Sequence, residues 1–105
     1  MRHWTPAELK QALETGAPPL VLDVREPWEI ELAALSPAVC IPMTQLPRRL
    51  DEVPTDATVV VLCHHGNRSL QVADFLERNG FSDVINLTGG IDAWSQDVDP
   101  GVPTY

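Results

Sequence analysis

The run Val59-Val60-Val61-Leu62-Cys63-His64-His65-Gly66-Asn67-Arg68-Ser69 holds the residues best suited to chemistry. A β-branched apolar strand stops at a cysteine, and a glycine-containing turn leads into a helix. Amide N–H groups at a helix start lack partners within the helix and together carry about half a unit of positive charge. A thiolate placed there is stabilised, which makes Cys63 a nucleophile at neutral pH, with Arg68 adding a cation at the far side of the loop. The competing reading is a buried cysteine at the end of a core strand. Its neighbours argue against it: His64 and His65 are polar, Gly66 lets backbone approach a ligand, and Arg68-Ser69 starts a helix beside the thiol.

Other reactive types fit structural roles better. Cys40 lies in the apolar run Ala38-Val39-Cys40-Ile41-Pro42, where core packing is expected rather than a resolving thiol. Two cysteines without an export signal make no disulfide framework. Asp23 and Arg25 follow an apolar strand and are expected to pair with neighbours such as Glu29, since buried charges need partners. Trp28 and Trp94 are expected in the core. His65 suits either a proton relay or an exposed loop, and Gly89-Gly90 either a close approach to the active loop or a simple turn. Cys63, His64, His65 and His3 form no metal-binding spacing, because adjacent ligands in one tight turn seldom converge on a tetrahedral centre. No metal and no cofactor are expected.

Composition sets the frame. A chain of 105 residues, 44% hydrophobic, buries one core, and a single domain over 1–105 is expected. No segment approaches the ~20 apolar residues of a membrane span. The first residues run straight into a helix signal, so the cytoplasm is the expected location. Fifteen acidic against seven basic residues give a net charge of -8, which excludes nucleic acid and anionic membrane surfaces as partners. A small anionic substrate then needs a local positive pocket, which the Cys63–Arg68 turn supplies.

The elements that position this loop alternate. Thr5-Pro6-Ala7-Glu8 is a capping box with proline at the first helical position, and Gly16 ends the helix. Leu20-Val21-Leu22-Asp23-Val24 reads as a central strand buried on both faces. A second helix is expected over Arg25 to Ala34, with Pro27 in its first turn, then a short strand Val39-Cys40-Ile41 and a capped helix over Thr44 to Leu50. Thr58 to Cys63 is the next buried strand. Ser69 to Gly80 has the pattern of an amphipathic helix with a glycine stop. Val84-Ile85-Asn86-Leu87 is a last strand, Ile91 to Trp94 starts a last helix, and Asp97 to Tyr105 is an extended tail on the surface. Such alternation implies a mostly parallel α/β sheet with helices on both faces and ligands beyond the carboxyl ends of the strands, where Cys63 sits.

With these landmarks in order, the chain resembles the rhodanese-like family of single-domain sulfurtransferases over almost its whole length. The resemblance is carried by Leu22-Asp23-Val24-Arg25-Glu26-Pro27-Trp28-Glu29, Ile41-Pro42, Val61 to Ser69, and Gly80-Phe81 through Leu87-Thr88-Gly89-Gly90-Ile91-Asp92-Ala93-Trp94. It implies a mainly parallel five-stranded rhodanese-like sheet, with the residues around His3 and Trp4 as an edge strand. Ala33 to Ala38 departs from the family's usual Gly-His-Ile-Pro-Gly-Ala.

The resemblance further implies that Cys63 accepts sulfur from a small anionic donor such as thiosulfate, or from a persulfide, and passes it to cyanide or a thiol, the latter on a protein in some cases. The N–H groups of His64, His65, Gly66, Asn67 and Arg68 would cradle the transferred sulfur, with Arg68 orienting the donor's negative end or bracing the loop. Cysteine phosphatases and arsenate reductases compete, but their loops hold five residues between Cys and Arg, against four here. A non-enzymatic protein-binding or sulfur-relay module is the alternative of another class.

Overall fold

The computed structural model describes residues 1–105. Its centre is a five-stranded sheet of β1 (Arg2–Trp4), β2 (Leu20–Asp23), β3 (Val39–Cys40), β4 (Thr58–Leu62) and β5 (Asp83–Leu87), in the order β1-β5-β4-β2-β3. Every pairing is parallel. Between the strands run the helices α1 (Pro6–Leu13), α2 (Pro27–Leu32) and α3 (Asn67–Arg78), and α4 (Gly90–Asp97) follows β5. No helix is long and apolar enough to cross a membrane.

The period of two along β4 divides the core. Val59, Val61 and Cys63 face a cluster with Val72, Ala73 and Leu76 of α3, whereas Val60 and Leu62 face Leu9 of α1 and Ile91 and Trp94 of α4. Both faces of the central strands are therefore dry, which is why β2 and β4 read as continuous apolar runs. Each fully buried valine or leucine contributes about 1.5–3 kcal/mol, so the two clusters outweigh any cap or surface ion pair in holding the sheet edge in place. Thr5 caps α1 through the expected box, its side chain accepting from the Glu8 amide while Glu8 accepts from the Thr5 N–H.

Three expectations are corrected. Cys40 is exposed, because β3 is a two-residue edge strand paired only with β2. Trp28 is 60% exposed: α2 is only six residues long, and the residue it buries is Glu29. The segment expected as a capped helix from Thr44 is a 3-10 helix over Met43–Arg48 without a side-chain cap. Pro47 inside it has no N–H for an α-helical bond. The second helix occupies Pro27–Leu32, within the expected 25–34, and α3 starts two residues before Ser69.

Candidate active site

Cys63 stands one residue past β4, at the carboxyl edge of the sheet, and is 1% exposed. The chain then turns through Gly66, which is the N-cap of α3 at φ 103°. That left-handed conformation suits glycine, and a Cβ there would lie 3.2 Å from the Gly89 nitrogen. The Gly66 N–H donates to the Cys63 sulfur at 3.1 Å, so the helix start does face the thiol as its sequence implies.

The other side of the loop is held by α4. The N–H groups of Ile91 and Asp92 donate to the carbonyls of Cys63 at 2.8 Å and His64 at 3.1 Å. Gly90, at φ 61°, lets this happen: any Cβ would fall on those same carbonyl oxygens. Of the two readings of Gly89-Gly90, close approach is the one observed. One helix N-terminus thus fixes the loop's carbonyls while another supplies the N–H beside the sulfur.

Behind the thiol lies a polar line that sequence reasoning did not assign. The Cys63 thiol donates to Ser69 Oγ at 3.3 Å, and that hydroxyl donates to Asn86 Oδ1 at 2.6 Å. Ser69 is fully buried and Asn86 is 6% exposed. A signal existed for Asn86, the only polar residue in the buried stretch Val84-Ile85-Asn86-Leu87, since a buried amide demands a partner. Asn86 is in register with Val61.

Arg68 does not point a free guanidinium at the thiol. Its two terminal nitrogens donate to the two carboxylate oxygens of Glu29, each at 2.7 Å. This bidentate pair lowers the Glu29 pKa to about 2 and raises that of Arg68. Asp23 and Arg25, expected to pair with neighbours such as Glu29, pair instead with each other at the end of β2, with Nε to Oδ1 at 2.9 Å and Nη2 to Oδ2 at 2.7 Å, both residues buried, because Arg68 takes the Glu29 carboxylate. Arg25 also donates to the Ala33 carbonyl at 2.8 Å.

The tail closes this group instead of merely lying on the surface. The Tyr105 hydroxyl donates to Glu29 Oε1 at 2.9 Å and accepts from Arg25 at 3.0 Å. Its ring lies flat on His64, with centroids 3.8 Å apart and planes 4° from parallel. His64 stacks in turn on His65 at 3.9 Å. Burial lowers the His64 pKa, with His65 adding to the effect, and Nε2 of His64 is buried without a hydrogen-bond partner. His65 and Asn67 are exposed. His65 Nδ1 lies 3.8 Å from Asp92.

His64, His65 and Asp92 bring ligand atoms within 4.8 Å of one another. Imidazole lone pairs lie in the ring plane, and the two rings stack with only 29° between planes. Their lone pairs therefore run alongside each other and do not converge on an ion.

Comparison with known proteins agrees with this architecture. The rhodanese-like domain family matches residues 5–97. A sulfurtransferase of Allochromatium vinosum is 39% identical over 88 residues, covering 84% of this chain and 82% of that protein. The adenylyltransferase and sulfurtransferase MOCS3-2 of Zea mays is 36% identical over 105 residues, 93% of this chain, but the chain spans only 22% of that relative's length. The crystal structure of a rhodanese-like domain protein from Staphylococcus aureus superimposes with a TM-score of 0.87 at 32% identity, covering 100% of this chain and 99% of that one. The match over residues 5–97 and a relative 39% identical over most of both chains place this chain, with its cysteine on a glycine-turned loop at the carboxyl edge of a parallel sheet, in the rhodanese-like family.

Proposed function

We propose that the protein is a sulfurtransferase that carries a sulfane sulfur on Cys63, taking it from thiosulfate or a persulfide and delivering it to cyanide or a thiol, which a protein can supply. The observation that carries this reading is the Gly66 N–H at 3.1 Å from the Cys63 sulfur, at the mouth of a helix N-terminus. A partial positive charge beside the thiol favours the thiolate as attacking group and, later, as leaving group.

In the first step the Cys63 thiolate attacks the donor's outer sulfur. The donor's S–S bond breaks and its electron pair departs with sulfite or with the donor thiolate, leaving a persulfide on Cys63. In the second step the acceptor attacks the terminal sulfur, and the Cys63 thiolate leaves with the bonding pair. No net oxidation occurs, so no cofactor is required. The backbone N–H groups of His64, His65, Gly66, Asn67 and Arg68 serve as the cradle for the added sulfur. Arg68, tied to Glu29, braces the loop in this account rather than reaching out to the donor.

The binding-only alternative has no need for a thiol that is buried, hydrogen-bonded to Ser69 and faced by a helix N–H. The reduced thiol that the reaction uses suits a cytoplasmic setting. Steady-state transfer to cyanide, read as thiocyanate, tests the proposal: turnover in the wild type with none in Cys63→Ser supports it, and equal turnover in both defeats it.

A further inference from the structure

The charges around the mouth are matched in a way that bears on which donor enters. Arg68 is the only cation of the Cys63–Arg68 loop apart from the histidines, and Glu29, 3% exposed on its side chain, takes both of its terminal nitrogens. Arg25 is likewise consumed by Asp23. What remains is Asp92, one-quarter exposed on its side chain and 3.8 Å from His65, on a chain whose net charge is -8. Thiosulfate carries two negative charges and meets no free cation here.

The same rim offers carbon. Tyr105 stacks on His64, His64 stacks on His65, and Trp28 stands edge-on to Tyr105 with centroids 6.2 Å apart. Trp28 keeps 60% of its surface exposed although it is the largest side chain of α2. Aromatic faces attract alkyl groups and cations, and repel no neutral body.

We infer that Glu29 is a specificity-determining residue: by occupying Arg68 it turns the site away from dianionic donors and towards persulfides borne on a neutral or cationic organic body seated on the Trp28–Tyr105–His64 rim. This rests on the sulfur-transfer reading above. The step is the same displacement: the Cys63 thiolate attacks the outer sulfur of R–S–SH, the S–S bond breaks, R–S⁻ leaves with the electron pair, and the proton stays on the transferred sulfur as Cys63–S–SH.

The test is a donor series on the full chain, using the persulfides of cysteamine, 2-mercaptoethanol and 3-mercaptopropionate, with cationic, neutral and anionic bodies, and thiosulfate. The expected order of kcat/KM follows that sequence, with about tenfold between its ends at low salt, shrinking as ionic strength rises. Glu29→Gln frees Arg68 and is expected to raise the ratio of thiosulfate to 2-mercaptoethanol persulfide by about tenfold, on the scale of a local charge in a cleft. Glu29→Asp, which keeps the charge but draws the carboxylate back from Arg68, is expected to raise it by about twofold to threefold, and it carries the test should Glu29→Gln fail to fold. Thiosulfate used as well as the neutral persulfide, or a ratio unmoved in the folded variants, overturns the inference while leaving sulfur transfer intact. Loading of Cys63 by none of the donors overturns the sulfur-transfer reading, and this inference with it.

Discussion

The hydroxyl of Ser69 sits between the Cys63 sulfur, 3.3 Å away, and Asn86 Oδ1, 2.6 Å away. A hydroxyl has one proton and can accept as well as donate: Ser69 accepts from the thiol while its own proton goes to Asn86 Oδ1, and by turning that proton to the sulfur it can donate to the thiolate once that forms. Donation to a charged acceptor is worth about 1.5–3 kcal/mol, against about 1 for a neutral one.

Ser69→Ala is therefore expected to slow alkylation of Cys63 by iodoacetamide at pH 7 by about tenfold, with Ser69→Thr restoring most of the rate. Equal rates in the wild type and Ser69→Ala would remove Ser69 from the thiolate's environment.

Glu29 links stability to pH. Its pKa in the folded chain is lowered from 4.5 to about 2, chiefly by Arg68. A depressed carboxyl stabilises the fold fully above pH 4.5 and loses that contribution as pH falls towards 2. Denaturant titrations should find Glu29→Gln less stable near neutral pH by on the order of 3 kcal/mol. The gap should narrow as pH drops through that window; a gap independent of pH would mean that the ion pair is not its source.

Gly90 has no room for a side chain against the carbonyls of Cys63 and His64. Gly90→Ala is expected to cost about 2 kcal/mol or more, because it adds left-handed strain to a clash with fixed backbone. Gly80, also at positive φ but with open space around it, gives the control: Gly80→Ala should cost less. Thermal unfolding of the two variants compares them, and equal losses would place the whole effect in φ.

Cys40 is exposed on an edge strand. Cys40→Ser should change stability by less than about 0.5 kcal/mol and leave sulfur transfer unchanged. A large loss of turnover in a folded variant would give Cys40 a part in the chemistry.

What the sequence displayed and what it hid follow from separate physical causes. The strands and the α3 stripe were legible because burial on both faces leaves long apolar runs and a helical period, as in Val59 to Leu62 and Val72, Ala73 and Leu76. The Cys63 loop was legible because helix-start chemistry is local. Trp28 and Cys40 were misplaced because a six-residue helix and a two-residue edge strand are decided by what packs over them. The Ser69–Asn86 line and the reach of Tyr105 to His64 join residues far apart in sequence, and such contacts depend on the tertiary fold. Glu29 was visible as a charge partner, but its choice of Arg68 over Arg25 depends on the packing of α2 against the loop.

The central claim is that Cys63 carries the sulfur. Intact-protein mass spectrometry after incubation with thiosulfate, and separately with 2-mercaptoethanol persulfide, followed by cyanide, tests it most directly. The expected result is a gain of one sulfur that maps to Cys63, disappears with cyanide and is absent in Cys63→Ser. A sulfur that maps elsewhere, or that persists in Cys63→Ser, would contradict it.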